Sequence, residues 1–216
     1  MQKFELIIFD CDGVLVDSEP ITNRVFGEML GELGMQVTLD EMFELFVGYS
    51  MTQCLTVISE RLGKMPPPDF VQNYYTRARV ALGAELTAVP GVVEALDQIT
   101  LPYCVASSGA HEKMRMTLGI TGLLPRFEGR MFSATEVARG KPAPDIFLHA
   151  ASKFGVRPAA CLVVEDTPPG VAAGVAAGMT VYGYSAQTPA ARLLAAGARR
   201  VFHDMTQLPL LLGKVS

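Results

Sequence analysis

The sequence predicts an α/β fold: a doubly wound, parallel, Rossmann-like sheet core with a small all-helical domain inserted near its start. Three observations carry that expectation. Short unbroken apolar runs recur along the chain, helical patterns separate them, and the interval from Asp17 to Gly83 holds helical patterns alone. An apolar run without alternation suits a strand buried on both faces, as parallel sheets require. Strands alternating with helices wind into such a sheet.

Leu6-Ile7-Ile8-Phe9 is the first strand, opening into a loop that turns at Gly13. The inserted interval reads as helices over Ile21 to Leu33, Asp40 to Phe46, Met51 to Leu62 and Asp69 to Leu82. Gly34, Gly48 and the run Met65-Pro66-Pro67-Pro68 separate them. The core is therefore expected to comprise residues 1–16 and 84–216, the insertion residues 17–83, with connecting stretches near Val14 to Pro20 and Gly83 to Val89. After the turn Val89-Pro90-Gly91 a helix follows over Val92 to Gln98. Further strands are expected at Tyr103 to Ala106, Leu162 to Val164 and Val181 to Tyr184, with a weaker one near Arg200 to Phe202. The intervening helices are Ala110 to Leu118, Asp145 to Phe154, Gly170 to Ala177 and Pro189 to Ala196. Gly170, Gly174 and Gly178 stand four apart, the pattern of a helix that packs closely on a sheet and stops at a glycine.

Half of the 216 residues are hydrophobic, enough for a substantial core. The net charge of −4 comes without a Lys/Arg cluster, which argues against nucleic acid or an anionic membrane as partner and for a small soluble one. The N-terminal apolar run is too short for a signal peptide or a membrane span, so a cytoplasmic location is expected. The oligomeric state is left open, a monomer being one option. Cys11, Cys54, Cys104 and Cys161 lack Cys-x-x-Cys spacing and read as reduced, buried side chains. Cysteine-phosphatase chemistry is disfavoured, because the nearest Cys/Arg pair, Cys54 and Arg61, has one residue too many and no glycines between.

In an open parallel sheet, ligands gather beyond the carboxyl ends of the strands. The polar residues there are Asp10 and Asp12, then Ser107, Ser108 and Gly109, then Glu165 and Asp166. Lys141 joins them from the proline-stiffened loop Gly140-Lys141-Pro142-Ala143-Pro144. Together they point to phosphoryl chemistry. A carboxylate attacking a phosphate dianion meets repulsion of roughly 8 kcal/mol at about 4 Å, for an effective dielectric of about 20 and two charge pairs. Carboxylate oxygens from Asp10 and Asp166, with Glu165 as ligand or supporting group, make a hard oxygen site suited to Mg²⁺. Lys141 adds a fixed charge, and the Ser107 hydroxyl with the Ser108-Gly109 amides can hold phosphate oxygens. Asp12, two residues beyond the nucleophile Asp10, is placed to protonate a leaving alkoxide and then to activate water.

These residues resemble a family. The run Phe9-Asp10-Cys11-Asp12-Gly13-Val14-Leu15-Val16-Asp17-Ser18-Glu19-Pro20, with Ser107, Gly140-Lys141-Pro142 and Val164-Glu165-Asp166-Thr167, closely resembles the haloacid dehalogenase superfamily. All four motifs stand in order along the chain. The inserted helices resemble the small cap of the subgroup similar to beta-phosphoglucomutase and phosphoglycolate phosphatase. The resemblance implies that Asp10 becomes phosphorylated, that the Asp12 backbone carbonyl helps bind Mg²⁺, and that the cap opens and closes over substrate. Aspartate at position 12 favours phosphate esters over carbon–halogen or carbon–phosphorus bonds, which need no alkoxide protonated in that way.

The acceptor is read from the cap. Where beta-phosphoglucomutases typically carry an arginine for a second phosphate, this chain has Met51, which favours water over a sugar phosphate; a mutase is the alternative, and a phospholigand sensor without turnover the second. Glu19 and Tyr49, with Asn23, Ser50 and Gln53, are the candidates for substrate contacts from the insertion, and His111 for the phosphate end. The segment from Phe132 to Pro142 is similar to bacterial 6-phosphogluconate phosphatases, so a sugar or sugar-acid phosphate is the expected substrate.

Overall fold

The computed structural model describes residues 3–38, 41–42, 45–46 and 51–213. They divide into two compact units, one made of the residues up to Asp17 and from Thr87 onward, the other of Ser18–Leu86.

In the first unit the strands are β1 (Leu6–Phe9), β2 (Tyr103–Ser107), β3 (Met131–Ser133), β4 (Cys161–Glu165), β5 (Thr180–Tyr184) and β6 (Arg200–Phe202). All five neighbouring pairs are parallel, in the order β3-β2-β1-β4-β5-β6. The chain winds outward from β1 through β2 to β3, then crosses back to β4 and winds out the other way. The reversal therefore falls between β1 and β4, and their carboxyl ends form the crevice where such sheets bind ligands. Phe9 sits opposite Val164 in this central pair, and the Asp10 amide continues the ladder by donating to the Val164 carbonyl at 2.9 Å. Every residue of β1 and β4 is buried, the apolar ones as an unalternating run requires and with them Glu165, which ends β4.

The sequence reading missed β3. Its three residues are too few to show a period, and it is recognisable only by its pairing with β2.

Helices α4 (Val92–Gln98), α5 (His111–Ile120), α6 (Leu124–Phe127), α7 (Asp145–Phe154), α8 (Pro168–Ala176), α9 (Ala190–Ala195) and α10 (Leu208–Leu211) flank the sheet. Thr167 caps α8, its hydroxyl accepting from the Gly170 amide at 3.2 Å, with prolines in the first turn where their missing N–H costs nothing. A Cβ at Gly174 would lie 2.6 Å from Val181 Cγ2, so the spaced glycines do form a close-packing face. Leu6, Ile8, Val163, Phe147, Val171 and Val181 belong to the buried core on this side.

The second unit is helical among its described residues: α1 (Glu19–Glu32), α2 (Met51–Leu62) and α3 (Phe70–Glu85). Phe26 is its centre, with edge-on ring contacts to Phe46, Phe70 and Tyr74. The helix expected over Asp40 to Phe46 lies partly outside the described residues, and the segment from Val47 to Ser50 lies wholly outside them. Among the described residues no helix is long and apolar enough to cross a membrane.

Candidate active site

The carboxyl ends of β1 and β4 deliver their acidic residues to one place. Lys141, arriving from the loop before α7, ties them together. Its side chain is 5% exposed, and its ammonium donates to Asp10 Oδ1, to Glu165 Oε1 at 2.7 Å and to the Ala106 carbonyl at 3.1 Å. Those bonds use all three of its protons. The Phe147 ring lies 4.9 Å below the charge. Burial alone would lower the Lys141 ammonium, but Asp10 and Glu165 more than reverse that and hold it protonated, above the ordinary lysine value. For Asp10, burial dominates and raises the carboxyl to about 7; Lys141 opposes this, while Glu165 and Asp12 add to it. The rise thus reports mainly the removal of Asp10 from water.

Glu165 is 1% exposed, and its other oxygen accepts from the Thr167 amide and hydroxyl, both at 2.9 Å. Glycine is needed at position 170, because a Cβ there would overlap the Glu165 carboxylate. The neighbouring Asp166, 2% exposed, lies against Gly13, where a Cβ would overlap its carboxylate. Gly13 has φ +78°, so the turn after Asp12 demands glycine twice over, for its backbone and for the space.

Ser107 ends β2, buried at 1% exposure, and its Oγ accepts from the Gly109 amide at 3.0 Å. Gly109 is held in turn by Ser133 at the end of β3, whose hydroxyl donates to the Gly109 carbonyl at 2.8 Å. Ser108 is exposed beside them. Asp12 is partly exposed, and its Oδ2 accepts from Lys113 Nζ at 2.8 Å.

The structure therefore joins Asp10, Lys141 and Glu165 by direct bonds, ends β2 at Ser107 and sets Asp12, Asp166, Ser108 and Gly109 on the adjoining loops. Glu19 opens α1 in the other unit, and Tyr49 lies outside the described residues. Met51 begins α2 and packs against that unit's own hydrophobic core. His111 instead binds Glu136, whose second oxygen meets His149 Nε2 at 3.0 Å. All four cysteines are buried and unbridged, and burial pushes the Cys11 and Cys104 thiols far up and that of Cys161 to about 11, which removes them as nucleophiles. Two residues of this region escaped the sequence reading, Lys113 and Ser133, and Thr167 entered it only as part of the acidic motif. Lys113 alone had a signal, a cation in the first turn of a helix, where the backbone dipole disfavours it.

Comparison with known proteins agrees with the geometry. The haloacid dehalogenase-like hydrolase family matches residues 4–178. The chain belongs to that family. It is an enzyme, a hydrolase whose relatives include phosphatases. The 6-phosphogluconate phosphatase of Escherichia coli is 33% identical over 211 residues, 97% of this chain and 95% of that protein. A haloacid dehalogenase-like protein of unknown function from Agrobacterium tumefaciens has a crystal structure with TM-score 0.91, at 36% identity and 97% coverage of both chains. A family hydrolase from Deinococcus radiodurans, crystallised with bound phosphate and sodium, gives TM-score 0.86 at 32% identity, covering 99% of this chain and 97% of its own. The six-stranded parallel sheet and helical insertion are the fold of this family with its cap.

Proposed function

We propose that this protein hydrolyses phosphate monoesters of sugars or sugar acids through a phosphorylated Asp10, with Mg²⁺ as cofactor. The carrying observation is the buried Lys141 ammonium held between Asp10 and Glu165 at the sheet's reversal point.

The residues fit a divalent cation. Asp10, Asp12, Glu165 and Asp166 share this end of the sheet with the ammonium groups of Lys141 and Lys113, so acidic groups outnumber basic ones and a divalent cation suits the oxygen donors. Mg²⁺ takes one or two carboxylates and keeps water and phosphate oxygens in its shell. The Asp10 and Asp166 carboxylates and the Asp12 backbone carbonyl would hold it. Glu165, expected as ligand or supporting group, takes the second role, since Lys141 and Thr167 occupy its oxygens. Bound there, the ion would offset charge on the phosphate and keep Asp10 ionised.

Asp10 attacks phosphorus as the ester P–O bond breaks, and Asp12 gives a proton to the departing oxygen, releasing an alcohol. Asp12, now a carboxylate, takes a proton from water as that water attacks the aspartyl-phosphate. Phosphate leaves, and Asp10 and protonated Asp12 are restored. The Ser107 hydroxyl and the Ser108 amide hold the phosphoryl oxygens, the Gly109 amide expected beside them being engaged by Ser107 Oγ, and the Lys141 charge balances theirs in both displacements. Water as acceptor is supported by Met51, an apolar side chain spent on packing its own unit. A sugar acid as substrate is supported by the likeness to the Escherichia coli 6-phosphogluconate phosphatase.

Phosphate release from 6-phosphogluconate and a panel of sugar phosphates tests this. The wild type should turn over with Mg²⁺ and lose activity with chelator, and Asp10→Asn should be reduced about 10⁴-fold or more. Metal-independent turnover, or an active Asp10→Asn enzyme, overturns the mechanism; activity on other phosphate esters alone overturns the substrate.

A further inference from the structure

Lys113 has no role in the chemistry above, yet its position is expensive. It stands in the first turn of α5, where the amide dipoles repel a cation, and it reaches across 101 positions of sequence to Asp12 Oδ2 at 2.8 Å. Its stem is guided there. A Cβ at Gly109 would lie 3.3 Å from Lys113 Cδ, so the glycine of the phosphate turn leaves the channel along which the lysine runs. The same glycine is pinned by the Ser133 hydroxyl through its carbonyl and by Ser107 Oγ through its amide. One turn thus sets both the serine facing the phosphate and the lysine facing the acid.

We propose that Lys113 is a positioning residue that fixes the Asp12 carboxyl for proton transfer to the leaving oxygen. With Oδ2 engaged by the ammonium, the rotamer of the Asp12 carboxyl is held by a charge-assisted hydrogen bond. The assignment rests on the hydrolytic mechanism proposed above. It makes a demand that a general stabilising role does not: the contribution of Lys113 must grow as the leaving group becomes worse.

The test measures kcat/KM, which reports the step that releases the alcohol, for Lys113→Met on a series from 4-nitrophenyl phosphate through phenyl phosphate to an alkyl phosphate. The variant should lose about 100-fold on the alkyl ester, the cost of a misplaced catalytic group, and about threefold or less on the nitrophenyl ester. Lys113→Arg should recover most of the alkyl activity. In an Asp12→Asn background, Lys113→Met should cost nothing further. A uniform loss across the series, a loss confined to KM, no loss at all, or an undiminished further loss in the Asp12→Asn background each overturns the proposal. If the variant folds poorly, the Lys113→Arg series and the wild-type leaving-group slope still decide, since an arginine enzyme that is soluble but uniformly impaired also sinks it. Failure of the wild type to hydrolyse any ester would instead count against the hydrolytic mechanism, so the two failures are distinct.

Discussion

Two lysine–carboxylate pairs serve the same end of the sheet, and they differ in depth. Lys141 and its partners Asp10 and Glu165 are 5%, 11% and 1% exposed, whereas Lys113 and Asp12 are 41% and 26% exposed. Burial makes the first pair part of the framework, since either charge left alone there would be paid for in full. Exposure leaves the second adjustable, as suits a carboxyl that must give up and regain a proton each cycle. Both pairs serve the reaction; depth decides how much of the fold's stability also hangs on each.

The comparison breaks most readily at Lys141. Lys141→Met strands Asp10 and Glu165 without their shared cation, and such a deletion costs about 3–5 kcal/mol. A melting temperature lower by about 10 °C is expected for a chain of this size. Lys113→Met should change stability by less than about 1 kcal/mol, because its pair is solvent-screened. Equal destabilisation by the two, in denaturant melts, would show that depth is not the deciding variable.

Gly13 sharpens the contrast at the junction of the pairs. Gly13→Ala forces a side chain into a left-handed turn and against the Asp166 carboxylate, at a cost of about 1–3 kcal/mol. Calorimetric titration with Mg²⁺ should show weakened binding as well; unchanged affinity would separate Asp166 from the metal.

The smallest effect is expected at Glu136, where burial would raise the carboxyl and the contacts with His111 and His149 more than reverse it, leaving it below the usual range. A carboxyl depressed on folding contributes stability above its unfolded value, and that contribution fades as pH falls through the depressed one. Glu136→Gln should therefore cost less than about 1 kcal/mol near neutrality, allowing for solvent exposure. The difference from wild type should vanish in acid; one that persists unchanged would rule out the ion pair as its source.

Much of this was legible before any coordinates. The continuous apolar runs marked five of the six strands, because a strand covered on both faces has no polar side to interrupt it. Asp10, Asp12, Glu165 and Asp166 stand where those runs end, so their gathering followed from the sheet alone. Met131–Ser133 escaped because three residues carry no period, and Ser133 with it. Thr167 stands in the acidic motif without a role of its own, and only the structure shows its hydroxyl serving both the α8 cap and Glu165.

The sequence by itself determined the alternation of five strands with helices, the acidic loops and the family, since each is written in local patterns of hydrophobicity and short motifs. Only the tertiary structure decided which carboxylate each lysine serves. Lys141 lies 131 positions from Asp10 and Lys113 lies 101 from Asp12, and separations of that size are closed by the packing of the sheet rather than by any local rule. Depth was decided there too, because exposure belongs to the assembled surface and not to the residue.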